Sequence, residues 1–380
     1  MNTGSKTDGP RIALVATGLG RVFRGYEASV MELYRHVRDR GDFVLYAGGR
    51  DIDHGGRVLW NVHRNTPFFD RLPARFATFG RRYRVECLTF GVSLLRALRR
   101  DPVDVVFTPD HYLAEFLQRF GGLLPRRPKV IFSNGAPFPA AYCQRFPFVH
   151  QKSYVDHLDG VEHFPDGVRS YLIPNGFDGA RLAMPDGFDR MAARRGLGLP
   201  ENRHVVISLA ALQTTHKRLD WLIGEFARLD PDRFYLLMAG AKTEETAAVE
   251  DLARASLPAG NYTIGTFPAD RVPELLWAAD MSVLTSLSEG FPRSVAEAMG
   301  AGRFILTHPH PNNVWILDNP ACHVDMTASG ALADRIAEYF EAPDRFDGDV
   351  RRNFTRFCDR FTWAAVTDRY LEMFEEVAKL

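Results

Sequence analysis

Two glutamates with seven residues between them, Glu289 and Glu297, flank a predicted strand–loop–helix turn. Residues 281–284 form a short apolar run that is typical of a buried parallel strand, and residues 286–292 interrupt it with Ser, Gly and Pro. From residue 293 the apolar positions recur with the period of a helix. Such a turn lies at the carboxyl edge of a parallel sheet, where open α/β folds bind ligands, and the first N–H groups of the helix suit a phosphate.

The two carboxylates would suit a ligand that carries hydroxyl groups at two places. Glu289 lies in the predicted loop, whereas Glu297 lies one to two turns inside the predicted helix. A sugar nucleotide is a ligand of this kind. An alternative is that Glu289 caps the helix and Glu297 is a solvated surface residue, and the spacing alone does not decide between the two interpretations.

Length and composition limit the class of protein. A chain of 380 residues with 46% hydrophobic content can bury two cores, so two domains are expected. The polar stretch Met1–Pro10 and the lack of an apolar run of 18 residues predict neither export nor a membrane span, and a cytoplasmic protein is expected. The four cysteines stand far apart and are expected to be buried thiols.

Charge is distributed unevenly along the chain. Residues 1–175 carry 25 basic against 17 acidic side chains, and residues 176–380 carry 22 against 30. The segment 68–100 is rich in arginine and aromatic residues and ends in a helical pattern that includes Leu94 and Leu98. A basic amphipathic helix can lie on an anionic membrane, so peripheral membrane contact through the first half is one interpretation. The other is a surface helix whose apolar side packs on the sheet.

Several motifs along the chain resemble those of the family 4 retaining glycosyltransferases of the GT-B fold. Residues 289–302, E-G-F-P-R-S-V-A-E-A-M-G-A-G, resemble the donor-site signature of that family. Residues 173–178, I-P-N-G-F-D, resemble the segment that ends its first domain, and residues 25–27 resemble its Gly-Gly-x-Glu turn, with Arg24 in place of the first glycine.

The resemblance implies an α/β protein with two Rossmann-like domains that face each other across a cleft. The first domain would comprise residues 1–174 together with a carboxyl-terminal helix at about 363–380, and would bind the acceptor. The second would comprise residues 175–362 and bind the nucleotide-sugar donor.

The resemblance also assigns roles to single residues. Lys217 matches a lysine that holds the donor diphosphate, Glu289 would hold sugar hydroxyls, and Glu297 would hold the ribose diol. His111, directly after a predicted strand, is the third candidate catalytic residue. Further donor-binding candidates are Gly25, Arg218, Phe267, Gly290, Phe291, Pro292 and Arg293.

One position departs from the family pattern in the diphosphate site. Leu212 stands where family members have an arginine, so half of the cationic clamp is missing, and Arg218 or His216 is available to replace it. His308 and His310 lie two residues apart, but two prolines and the lack of a nearby acidic or cysteine ligand argue against a metal site. No metal or other cofactor is therefore expected.

The implied reaction is transfer of a sugar from a nucleotide sugar, expected to be a UDP- or GDP-sugar, to a hydroxyl of an unidentified acceptor with retention of configuration. Nucleic-acid binding has no support, because the basic residues are not interleaved with an exposed aromatic motif. The departures at Leu212 and Arg24 keep open a catalytically inactive nucleotide-sugar-binding protein. Another GT-B enzyme, such as a nucleotide-sugar epimerase or a pyridoxal phosphate phosphorylase, fits the series of motifs less well.

Overall fold

The computed structural model describes residues 9–21, 25–50, 52, 55–71, 78–135 and 138–380. The chain divides into two compact units, of which the first comprises residues 1–176 and 366–380 and the second residues 177–365. The predicted division stood at residues 174 and 175, with the return to the first domain at about 363. Arg24 lies outside the described residues.

In the described residues of the first unit, seven parallel strands form one sheet in the order β3-β2-β1-β4-β5-β6-β7. Most are short apolar runs, because helices cover both faces of a parallel sheet. The strands are β1 (Arg11–Ala16), β2 (Asp42–Ala47), β3 (Arg57–Val58), β4 (Val105–Thr108), β5 (Lys129–Asn134), β6 (Phe148–Gln151) and β7 (Arg169–Leu172).

Helices alternate with these strands, as a parallel sheet requires. They are α1 (Gly25–Val37), α2 (Phe79–Arg100), α3 (His111–Phe120), α4 (Ala140–Cys143) and α5 (Tyr154–His163). Short 3₁₀ turns occur at Pro67–Arg71 and Gly121–Leu123.

The second unit has five parallel strands in the order β10-β9-β8-β11-β12. They are β8 (His204–Leu209), β9 (Phe234–Ala239), β10 (Tyr262–Gly265), β11 (Met281–Leu284) and β12 (Phe304–Thr307). In both units the strand order reverses next to the first strand, so that β1 adjoins β4 and β8 adjoins β11. Ligands of open α/β sheets bind at the carboxyl ends of the strands beside such a reversal.

Ten helices belong wholly or partly to the second unit. They are α6 (Gly179–Leu182), α7 (Arg190–Leu197), α8 (Leu219–Phe226), α9 (Thr246–Ser256), α10 (Val272–Ala278), α11 (Arg293–Gly300), α12 (Pro311–Leu317), α13 (Ala331–Glu341), α14 (Asp347–Arg360) and α15 (Trp363–Lys379), with 3₁₀ turns at Ala269–Arg271, Pro320–Cys322 and Pro343–Phe346. Helix α15 begins in the second unit and continues into the first.

Helix α2 packs its apolar side into the core of the first unit. The side chains buried there are Tyr83, Cys87, Phe90, Leu94 and Leu98. The apolar side of α2 therefore packs as in the surface-helix alternative, while Leu88 and Val92 are exposed on its other side. No helix in the described part of the chain has the length and apolar character needed to cross a bilayer.

Strand β6 is absent from the sequence-based prediction, because it is only four residues long and includes His150 and Gln151. The His150 ring is fully buried in the first unit. Its Nδ1 lies 2.9 Å from the Ser133 hydroxyl, and its Nε2 lies 2.8 Å from the carbonyl oxygen of Ile173. With a neutral ring, Ser133 donates to Nδ1 and Nε2–H donates to Ile173.

Burial lowers the pKa of His150 to about 3, and the positive charges of Lys152 and Arg369 act in the same direction. The ordinary value for an unfolded chain is about 6.5. The unfolded chain therefore binds a proton that the folded chain excludes at any pH between about 6.5 and 3. Stability is retained above pH 6.5 and is lost as the pH falls through that window.

We expect the unfolding free energy of the first unit to fall by up to about 1.4 kcal/mol for each pH unit below 6.5 because of this one side chain. In His150→Gln the slope should flatten, even if the variant is less stable at pH 7. Calorimetric melting between pH 7 and pH 4.5 measures the stability of each variant and its slope with pH. The matched control is His163→Gln, which changes an exposed histidine. Equal slopes in wild type and His150→Gln would contradict the assignment.

Candidate active site

The loops that follow β8 and β11 meet at the strand reversal of the second unit. Strands β8 and β11 pair in parallel, so both loops leave the same edge of the sheet. Lys217 lies in the first loop and Glu289 in the second, and the Lys217 Nζ forms an ion pair with Glu289 Oε1. The side chains are only 18% and 9% exposed. The lysine and the glutamate predicted to act on one ligand are thus in direct contact.

The backbone around this ion pair is held by side chains of neighbouring elements. The Thr285 hydroxyl, at the end of β11, donates to the carbonyl oxygen of Lys217 at 2.7 Å. The Asn312 amide, in α12, donates to the carbonyl oxygen of Glu289 at 2.5 Å. Both charged residues therefore project from fixed backbone positions.

Helix α11 begins directly after the loop that carries Glu289. Pro292 is the residue before its first turn, one position earlier than predicted, and the described residues provide no side-chain cap for this helix end. Glu289, which the alternative interpretation made a cap, contacts Lys217 instead. Gly290 is exposed. The first N–H groups of α11 therefore remain available for an anion beside Lys217.

Glu297 lies one turn inside α11 and is largely buried. Its carboxylate is 3.6 Å from Arg293 Nη2, and the two side chains are 19% and 54% exposed. Burial raises the pKa of Glu297, while Arg293 and Arg181 oppose this shift. Glu297 is thus not the solvated surface residue of the alternative interpretation.

Two of the candidate cations are already engaged within the second unit. The Arg218 guanidinium donates to the carbonyl oxygen of Met326 at 2.7 Å and lies over the Trp221 ring at 5.0 Å. His216 Nε2 lies 3.0 Å from the carbonyl oxygen of Ser288. Both contacts hold loops together, whereas the Lys217 ammonium contacts the carboxylate that is predicted to act on the same ligand.

Leu212 does not point towards the edge of the sheet. Its side chain is fully buried in the core of the second unit. Its carbonyl oxygen accepts hydrogen bonds from Thr243 and Thr246 at 2.7 and 3.2 Å. An arginine in this conformation would bury an unpaired charge, so simple replacement would not restore a cationic clamp.

The aromatic candidates of the second unit are Phe291 and Phe267. The Phe291 ring packs 6.1 Å from Phe177 and 6.0 Å from Phe361, so Phe291 offers a ligand its backbone rather than its ring. The Phe267 ring lies over Gly265, where an added Cβ would meet it at 3.1 Å. Phe267 follows the edge strand β10, which β9 separates from β8.

In the first unit His111 is the first residue of α3, which follows β4 after a two-residue connection. Its ring packs among aromatic side chains, with centroid distances of 4.0 Å to Tyr112, 4.9 Å to Phe138 and 5.4 Å to Tyr83. Burial lowers the pKa of His111. Gly25 is the first residue of α1.

Sequence reasoning missed Asp110, which is buried beside His111. Its carboxylate accepts hydrogen bonds from the Thr17 N–H at 2.6 Å and the Tyr83 hydroxyl at 2.7 Å, and so joins the loops after β1 and β4. Its position between a predicted strand and a predicted helix could have indicated that it joins loops. The sequence gives no comparable indication that Asn312 would bind the carbonyl oxygen of Glu289.

Arg64 and Glu86 form a second, fully buried ion pair in the first unit that was also missed. Burial raises the pKa of Glu86 to about 7, against the opposing effect of Arg64. Among the residues that the structure describes, no group of three or more His, Cys, Asp or Glu is placed to hold a metal ion. The expectation that no metal is required stays a prediction.

A comparison with protein families finds a match within the second unit. Residues 189–356 match the family model described as glycosyl transferases group 1. Most of the second unit is therefore similar to a group 1 glycosyl transferase domain. The matched range contains Lys217, Glu289 and Glu297. No curated protein matches the chain in sequence.

Solved structures are similar in fold to nearly the whole chain. Anabaena Alr3699/HepE in complex with UDP and glucose is 17% identical, with 98% of this chain and 100% of that chain covered and a TM-score of 0.73. A glycosyltransferase from Rickettsia africae ESF-5 is 16% identical, with 98% and 100% covered and a TM-score of 0.78. Sucrose-phosphate synthase from Thermosynechococcus elongatus is 15% identical, with 97% and 99% covered and a TM-score of 0.76. The predicted α/β fold class, GT-B, is confirmed.

Proposed function

We propose that the protein transfers a sugar from a nucleotide-sugar donor to an acceptor hydroxyl, with retention of anomeric configuration and without a metal or other cofactor. The observation that carries the proposal is the contact between Lys217 and Glu289 at the strand reversal, beside the uncapped start of α11. The solved complexes of Alr3699/HepE with UDP and with UDP-glucose support a UDP-sugar as the first donor to test.

The ion pair would separate when a donor binds. Lys217 would turn to the diphosphate, together with the first N–H groups of α11, and Glu289 would accept hydrogen bonds from sugar hydroxyls. Each charge would exchange one partner for another, so neither would be left buried and unpaired. Without donor, each side chain holds the other in the site.

In the reaction, the bond between the anomeric carbon and the diphosphate oxygen breaks, and the acceptor oxygen bonds to the anomeric carbon. The acceptor proton passes to the departing phosphate. Negative charge grows on the diphosphate as the bond breaks, and preorganised donors at that point lower the barrier. Glu297, deeper in α11, would hold the ribose diol of the same donor.

A catalytically inactive nucleotide-sugar-binding protein is the alternative. The burial of Leu212 supports it, because the second cation of the expected clamp is missing and the Arg218 guanidinium is engaged elsewhere. The nearly buried pair of Lys217 and Glu289 favours an enzyme, since one cation and one acceptor remain placed together. A thermal-shift panel of nucleotide sugars followed by an assay for donor hydrolysis and transfer separates the two functions.

The acceptor is expected to meet the first unit, and we propose that this unit contacts an anionic membrane surface from the cytoplasm. The exposed stripe of α2 carries basic side chains on either side of two apolar ones, and it consists of Arg81, Arg84, Leu88, Val92, Arg96 and Arg99. Trp60 is 69% exposed, and its carbonyl oxygen accepts from Ser93 of α2 at 2.7 Å. An exposed indole beside a basic stripe suits a lipid interface.

Lys217→Ala should lower turnover by about 10²–10³, because one preorganised electrostatic contact to the leaving group is lost. Lys217→Arg should recover part of the activity, and the loss should appear mainly in turnover. Steady-state kinetics with the donor found in the panel measure this. The exposed Lys242→Ala is the matched control. Normal turnover in Lys217→Ala would assign the phosphate to another cation.

Glu297→Ala and Glu289→Gln should change nucleoside diphosphate affinity in opposite directions. Loss of a charge-assisted acceptor worth about 1.5–3 kcal/mol should weaken UDP binding about 10- to 150-fold in Glu297→Ala. Glu289→Gln frees Lys217 for the anion, so binding should tighten about fivefold while turnover falls. Titration calorimetry with UDP measures the affinity of both variants. With dideoxyuridine diphosphate, which lacks the ribose diol, Glu297→Ala should bind as tightly as wild type. Unchanged affinity in Glu297→Ala would refute the ribose assignment.

Sedimentation with anionic liposomes should show binding that weakens steeply with salt, because exposed charges are screened within about 10 Å at 0.1 M. Trp60→Ser should reduce binding at every salt concentration. Leu123→Ser, which changes another exposed apolar residue of the first unit, should not. No binding even at low salt would favour a soluble acceptor.

A further inference from the structure

Glu245 precedes α9 and accepts four hydrogen bonds from the loop that carries Lys217. Its Oε2 accepts from the Thr214 N–H at 2.8 Å, the Thr214 hydroxyl at 2.6 Å and the Thr215 N–H at 2.9 Å. Its Oε1 accepts from the Thr215 hydroxyl at 2.9 Å. Two consecutive residues of the β8–α8 loop are therefore fastened to one carboxylate that lies after the next strand.

These bonds hold one end of a short turn whose other end is also fixed. The Arg218 N–H donates to the carbonyl oxygen of Thr214 at 3.0 Å and closes the turn around Lys217. Arg218 adopts a left-handed backbone conformation with a φ of 51°, which costs free energy for a residue other than glycine. Thr285 holds the carbonyl oxygen of Lys217 from the opposite side. Lys217 thus projects from a segment that surrounding contacts must keep in an unfavourable conformation.

The hydrogen bonds from Thr214 and Thr215 lower the pKa of Glu245 to about 2. The carboxylate is ionised at any pH near neutrality, so all four bonds are charge-assisted. Two N–H groups and two hydroxyls that converge on one anion resemble a phosphate-binding nest. With Glu245 in place, these donors are occupied and do not compete with Lys217 for a diphosphate.

We propose that Glu245 is a positioning residue for Lys217: it fixes the turn from which the lysine reaches the donor diphosphate and occupies the neighbouring anion donors. The inference rests on the proposed function, because Glu245 would act on the reaction only through Lys217, which is proposed to bind the donor diphosphate. It adds to the donor site a residue 28 positions further along the chain, in a different loop.

Glu245→Gln should lower turnover by about 10- to 100-fold, because small displacements of a reacting or stabilising group have effects of that size. Affinity for UDP, measured by calorimetry, should fall as well. The matched control is Glu244→Gln, which removes the same charge from an exposed neighbour for which the described residues provide no hydrogen bond or ion pair. Thr215→Val removes one of the four hydrogen bonds to Glu245 and should lower turnover less than Glu245→Gln does. Thr215→Ser keeps the hydroxyl and should retain turnover. Normal turnover and UDP affinity in Glu245→Gln would overturn the inference.

A double-mutant cycle separates positioning from a general structural role. If Glu245 acts through Lys217, Glu245→Gln should change turnover by less than about twofold in the Lys217→Ala background. Equal losses in both backgrounds would show that Glu245 acts independently of the lysine and would overturn the inference.

Amide hydrogen exchange tests the contact without any ligand. Thr214 and Thr215 amides should exchange faster in Glu245→Gln than in wild type or Glu244→Gln, because their acceptor is weakened. Unchanged exchange would overturn the inference even if the enzyme transfers sugar. Conversely, a wild type that neither binds UDP or GDP nor transfers sugar would refute the proposed function, whatever the exchange rates.

Discussion

The reversal of strand order beside β8 is the constraint on which the candidate site depends. Because β8 and β11 are neighbours and parallel, their following loops leave the sheet at the same edge. Lys217 and Glu289 are 72 residues apart in the chain and still form an ion pair. In the first unit, the reversal at β1 and β4 brings the Thr17 N–H to the carboxylate of Asp110 in the same way. One topological rule therefore places the polar groups of both units.

Buried or hydrogen-bonded carboxylates fasten loops at several other points of the chain. Glu225, in α8, accepts hydrogen bonds from the N–H groups of Gly330, Leu332 and Ala333 and so caps α13. Asp280, before β11, accepts from Val205 and from two arginines of α7. A carboxylate can satisfy several donors at once, which suits places where a loop exposes N–H groups that no strand or helix pairs.

The sequence predicted the elements that follow a clear local pattern. The apolar run of residues 281–284 and the strand–loop–helix turn around Glu289 are where the sequence pattern placed them, within a residue or two. Strand β6 was missed because a four-residue strand that contains a buried histidine has no alternating or apolar signature.

The candidate site was less predictable, because side-chain direction and long-range contacts decide it. Spacing cannot show that Leu212 points into the core or that the Arg218 guanidinium binds a carbonyl group in a distant loop. The bonds between Glu245 and two threonines join segments about 30 residues apart, with no local pattern on either side. Glu289 and Glu297 were found because their spacing resembles a known signature, whereas spacing alone did not distinguish a ligand site from a capped helix with a surface glutamate.

Helix α15 gives the chain a particular order of assembly during synthesis. Its later residues complete the core of the first unit, where the Tyr370 and Phe374 rings pack 6.1 and 5.7 Å from that of Phe107. The second unit is continuous in sequence, but the first lacks residues 366–380 until they leave the ribosome. The first unit is therefore translated first, but its core is completed last. Part of that apolar core stays exposed until residues 366–380 have been synthesised.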